Sequence, residues 1–181
     1  MTTPAPGPPP SAARDDSDQR CSTEELLDAW MSIIRSYKHV NQMLTCHVEQ
    51  ETGLSAPDFI VLARLRRSSD PAVPLSALAR ELAFSSGGFT KLADRLQQAG
   101  LIQRQPSPCD RRVTNAVLTP AGQAAADRAL AVYGAGLREV VLRQLGTDGL
   151  RAMVSQMSRL GDLPSGCLDE QLDRETTARS G

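Results

Sequence analysis

Apolar residues recur at alternating steps of four and three from the twenties onward: Leu26, Trp30, Ile33, Tyr37, Val40 and Leu44. That spacing predicts one long helix with a single apolar seam. Ser22 followed by Glu25 is a capping-box start, and Gly53 is its stop. A seam of this length exceeds what a small domain can cover alone, so it predicts a partner helix, most economically from a second copy. Ser55 and Pro57 open the next helix, whose core side is Phe59, Val61, Leu62 and Leu65. Arg64, Arg66 and Arg67 lie close together there, either against a phosphate backbone or in solvent. Residues 68–74 read as a loop ending in a short strand that pairs with a later hairpin.

Two shorter periodic segments come next. Leu75, Leu78, Ala79 and Leu82 share one helix face, with Ser76 as cap; Phe89, Leu92, Ala93 and Leu96 share another, with Ser85 or Ser86 as cap and Gly100 as stop. Strand-like runs Leu101 to Gln105 and Val113 to Leu118 then flank the polar loop PSPCDRR. Two short helices about a turn, followed by a hairpin with charge at its tip, predict a helix-turn-helix with a wing. Beyond it Thr119 caps a helix with Pro120 at its first position, and Leu130, Tyr133, Leu137, Val140, Val141 and Leu145 form its apolar side. Gly146 ends that helix, and Thr147 to Leu160 form a last one with Leu150, Met153, Val154, Met157 and Leu160 inward. The expected fold class is therefore mainly α: a winged helix-turn-helix (55–119) with a two-stranded wing, and a helical dimerisation region from the N- and C-terminal helices (22–52 and 120–162).

The second short helix carries candidate chemistry opposite its apolar side. Ser86, Gly88, Thr90, Lys91 and Arg95 are small hydroxyls, a glycine and cations, a face slim enough to enter a major groove and meet base edges. A solvated helix face is the plainer reading of the same residues. Asp110, Arg111 and Arg112 at the hairpin tip shift the balance, because an arginine held out beside such a helix can enter the narrow minor groove. Asp110 is expected to accept a bond from Arg112 and fix the direction of its guanidinium. From 75 to 120 there are six cations (Arg80, Lys91, Arg95, Arg104, Arg111, Arg112) against three anions (Glu81, Asp94, Asp110), although the whole chain carries −1.

Composition narrows the remaining choices. With 40% hydrophobic and only 3% aromatic residues, the core must be mostly Leu, Ala and Val, which suits helices. Residues 1–20 hold five prolines and almost nothing to bury, and 163–181 are similarly polar; both read as disordered tails around one domain, 21–162. Neither a signal-peptide core nor a membrane-length apolar run is present, so a cytoplasmic protein without membrane contact is expected. Cys21, Cys46, Cys109 and Cys167 lack C-x-x-C spacing. His39 and His47 are about 12 Å apart along one helix, too far to share an ion. A Gly-rich phosphate loop, a GxSxG elbow and a His placed for a nucleophile pair are all missing, which argues against an enzyme, and nothing calls for a cofactor.

The run from Leu75 through Leu96, then GLIQR, DRR and LTPAG, resembles the MarR family of winged-helix transcriptional regulators over roughly residues 22–162. The resemblance implies that Asp110 and Arg112 match the family's wing motif, and that Ser86, Gly88, Thr90 and Lys91 contact DNA from the recognition helix. It further implies a homodimer, a repressor by family default, on a double-stranded inverted-repeat operator with half-sites roughly 34 Å apart. A small aromatic or anionic effector would release the DNA, with Trp30, Arg35 and Tyr37 as candidate contacts; the alternative places Trp30 and Tyr37 in the dimer seam. A urate-responsive branch is similar at Trp30 and SSGG-x-T, but Ile60 and Leu92 stand where it has Asp and Arg, so urate is not carried over. A redox-sensing branch uses a cysteine near the start of the first helix, where Cys21 lies, and oxidation of Cys109 on the wing would disturb its arginines. A winged-helix adaptor that binds protein rather than DNA is the other alternative.

Overall fold

The computed structural model describes residues 22–110 and 112–161. They divide into two compact units, with the boundary after Asn41 inside the first helix. The tails, with Cys21 and Cys167, and Arg111 lie outside the described residues.

Helix α1 is Thr23–Thr52. It starts at the expected capping box: the Ser22 N–H donates to Glu25 Oε2 at 2.8 Å and the Glu25 N–H donates to Ser22 Oγ at 3.2 Å. The bond from the Ser22 amide holds the Glu25 carboxyl below the ordinary carboxylate range. In the first unit Leu26, Leu27, Trp30, Met31, Ile33 and Tyr37 are exposed. The helix ends where Gly53 turns into the left-handed region at φ +73°, a conformation open to glycine because it has no Cβ.

The second unit continues with α2 (Ala56–Arg66), β1 (Ala72–Pro74), α3 (Leu75–Glu81), α4 (Ser86–Gln98), β2 (Ile102–Pro106), β3 (Thr114–Leu118), α5 (Pro120–Leu137), a π-helical stretch (Arg138–Leu142) and α6 (Arg143–Gly161). Its core is aliphatic, as the composition requires: Leu62, Leu78, Leu96, Ile102 and Val61 are almost fully buried, joined by Phe89, Leu92 and Ala116. Val48, Phe59 and Ala129 make a smaller cluster, with the Phe59 and Tyr133 rings 4.9 Å apart.

The sheet is antiparallel, in the order β1-β3-β2. Strands β2 and β3 are the wing, and β1 is the short strand expected before α3, with Val73 opposite Ala116 and so placed over the core. Two helix details need correction. Ser76 does not cap α3: that helix begins at Leu75 after Pro74, with no side-chain cap, and Ser76 lies within it. Gly146 does break the C-terminal run, at φ 66°, but Met153, Val154, Met157 and Leu160 beyond it are exposed rather than inward. Their 3.6-residue pattern marks an apolar face without saying whether the same chain covers it.

The turn joining α3 to α4 holds Ala83 at φ 55°. A left-handed alanine places its Cβ against the following carbonyl, so Ala83→Gly should stabilise the fold by about 1 kcal/mol after glycine's larger unfolded-chain entropy is subtracted. A higher urea midpoint checks this; a lower one means the turn is unstrained.

Candidate nucleic-acid interface

Helix α4 turns Phe89, Leu92, Ala93 and Leu96 into the core and leaves Ser86, Gly87, Gly88, Thr90 and Lys91 exposed. Ser85, outside the helix, is the cap: its Oγ accepts from the Gly88 N–H at 3.2 Å, which frees Ser86 from that duty. A Cβ on Gly88 would come within 2.9 Å of the same Oγ, whereas one on Gly87 would meet open space. Thr90 Oγ1 donates to the Ser86 carbonyl at 2.9 Å, so its remaining capacity toward a ligand is as acceptor. Lys91 has no ion pair among the described residues.

Arg95 is placed differently from the other candidates. Its Nη2 lies 2.7 Å from Asp58 Oδ1 and 3.3 Å from Ser55 Oγ, so it ties α4 to the first turn of α2. Arg104 is also engaged, with Nη1 at 2.7 Å from Asp94 Oδ1. Pairing therefore narrows which cations of this window are unengaged without changing the local excess of positive charge, because Glu81 and Asp94 are paired as well. Arg80, Lys91 and Arg112 are the exposed cations of that window without an ion pair among the described residues. Two arginines of the α2 cluster are likewise held in surface ion pairs, Arg64 with Glu81 and Arg66 with Asp127, while Arg67 is exposed without one among the described residues. The bond from Arg64 holds the Glu81 carboxyl below its ordinary range and raises the guanidinium's own pKa.

The wing is a hairpin of β2 and β3 in the register Ile102 to Leu118 and Arg104 to Ala116. Its tip is closed by the Ser107 N–H donating to the Val113 carbonyl at 2.8 Å and the Val113 N–H to the Asp110 carbonyl at 2.9 Å. Asp110 orders the tip in another way than expected: Oδ1 accepts from the backbone N–H of Arg112 at 2.9 Å, not from its guanidinium. The carboxylate therefore shapes the turn and leaves the Arg112 side chain exposed.

Elsewhere the candidates do not converge. Trp30, Arg35 and Tyr37 are all exposed on α1, but Arg35 lies about 140° round the helix from Trp30, and Tyr37 lies near Trp30's side. Cys46 and Cys109 are exposed free thiols. Among the described residues no group of three or more His, Cys, Asp or Glu is arranged to hold a metal, and no helix is long and apolar enough to cross a membrane.

A helix buried along one side and polar on the other, set beside a hairpin that holds out an arginine, defines a winged helix-turn-helix protein. The chain belongs to the MarR family, whose profile matches residues 52–113. It is 34% identical over 100 residues to the HTH-type transcriptional regulator MhqR of Bacillus subtilis, covering 55% of this chain and 67% of that one. It is 36% identical over 89 residues to the HTH-type transcriptional regulator PecS of Dickeya dadantii, covering 49% of this chain and 54% of PecS. Among solved structures, a probable transcriptional regulator from Pseudomonas aeruginosa superposes with a TM-score of 0.60 at 26% identity, covering 74% of this chain and 98% of that one. Sco3205 of Streptomyces coelicolor, a MarR family regulator solved in complex with DNA, shares the fold with a TM-score of 0.69 at 22% identity over 80% of this chain and 91% of its own.

Proposed function

We propose that this chain is a sequence-specific DNA-binding transcriptional regulator that acts in the cytoplasm as a homodimer on an inverted-repeat operator, without catalysing a reaction. The outward side of α4 carries the proposal. Ser86, Gly87, Thr90 and Lys91 form a slim polar ridge with no intramolecular cover, the shape that a major groove admits. Arg112 beside it is free to enter the minor groove. Ser86, Gly88, Thr90, Lys91 and Arg112 make the contacts in this reading; Asp110 shapes the wing and Arg95 braces α4 against α2. Arg111, next to Arg112 in sequence, adds a second positive charge.

Exposed apolar residues on α1 and on α6 support the dimer, since a monomer leaves Leu26, Trp30, Val154 and Leu160 in water. Repression relieved by a small aromatic or anionic effector completes the proposal, with Trp30 and Tyr37 on one side of α1 and Arg35 reaching the effector only from another helix face.

The test is a titration of selected and random duplexes at two salt concentrations, with mass measured by sedimentation. A dimer that neutralises about six phosphates loses on the order of a thousandfold in affinity between 50 and 200 mM salt. A monomer, or a protein retained on no duplex at low salt, contradicts the proposal and favours a protein-binding adaptor.

A further inference from the structure

Asp94 is the one anion on α4 and lies on its outward side, three residues after Lys91 and four after Thr90, spacings that place all three on neighbouring turns of one face. In the DNA-binding reading above, a carboxylate there would lie beside the phosphates that Lys91 meets. Arg104 reaches it from strand β2: Nη1 is 2.7 Å from Asp94 Oδ1 and Nη2 donates to the Thr90 carbonyl at 3.3 Å. The third guanidinium nitrogen, Nε, is buried with no partner. Leaving a charged group's donor unsatisfied opposes folding.

We infer that Asp94 and Arg104 are a matched charge pair that sets the specificity of DNA binding, each cancelling the other on the face that meets the duplex. The inference rests on the DNA-binding reading above. With the pair intact, Arg104 adds nothing to the nonspecific attraction that Arg80, Lys91 and Arg112 supply, and base contacts decide between sequences. Without Arg104 an uncancelled anion opposes the phosphates. Without Asp94 an uncancelled cation attracts every duplex alike, because phosphate contacts carry no sequence information.

The experiment measures affinity for a selected operator and for an unrelated duplex, at one salt concentration, for the wild-type chain, Arg104→Gln, Asp94→Asn and the double variant. Arg104→Gln should weaken both duplexes about tenfold, Asp94→Asn should tighten the unrelated duplex about fivefold and so shrink the specificity ratio, and the double variant should return within about threefold of wild type. A purely structural pair predicts otherwise: both single variants lose affinity and the double is no better than either. That result overturns the inference, as does an Asp94→Asn chain that weakens binding to the unrelated duplex. Should Arg104→Gln fail to fold, the Asp94→Asn arm decides alone, since Asp94 is half-exposed and its loss removes no packing. A wild-type chain that binds neither duplex overturns the DNA reading and this pair with it; a wild-type chain that binds, with losses that add, overturns the pair only.

Discussion

Gly122→Ala should cost the fold about 3 kcal/mol or more, the high end for overpacking a filled site. A Cβ at Gly122 would lie 1.9 Å from the Leu101 carbonyl oxygen and 3.2 Å from Leu118 Cδ2. The first of these is backbone, which has no rotamer to escape into. Leu101 is held there: Thr119 Oγ1 donates to the Gly100 carbonyl at 2.7 Å while accepting from the Gly122 N–H at 2.9 Å, and the Thr119 N–H donates to the Leu101 carbonyl at 3.1 Å. The LTPAG run is thereby explained as a joint between the end of α4, the start of β2 and the first turn of α5. Leu118 packs on the core, Thr119 caps, Pro120 starts the helix and Gly122 permits the contact. A urea unfolding series reads the outcome through its midpoint; a midpoint equal to the wild type's would show that α5 can shift away at little cost.

Arg112→Ala should lower operator affinity at least about tenfold, a loss of roughly 1.4 kcal/mol, with the thermal midpoint unchanged. The guanidinium is exposed and has no ion pair among the described residues, so truncation removes nothing that supports the fold. The tip remains closed because Asp110 holds the backbone N–H of residue 112, which alanine retains. Fluorescence anisotropy with an operator fragment gives the affinity. Unchanged binding would remove the wing from the interface, and a lowered thermal midpoint would mean that the arginine packs in a way its exposure does not suggest.

The order of elements and the faces of the helices could be read from the residues alone, because local rules suffice for both. A 3.6-residue period marks an apolar side, Ser22 and Glu25 cap each other across one turn, and Gly53, Gly100 and Gly146 stop helices where the chain turns left-handed. The ridge of α4 and the hairpin after it were legible for the same reason, since each lies within a dozen or so consecutive residues. Partners distant along the chain emerged only on folding. Arg95 meets Asp58 across 37 residues and Arg66 meets Asp127 across 61, so cations that look unpaired in the sequence are held in surface ion pairs. Arg104 finds Asp94 only because β2 folds back along α4, and Asp110 turns out to hold a backbone amide where a guanidinium was expected. Periodicity reports which side of an element avoids water. It does not report which other element, or which opposite charge, that side is brought against, because that choice is made by the packing of the whole core.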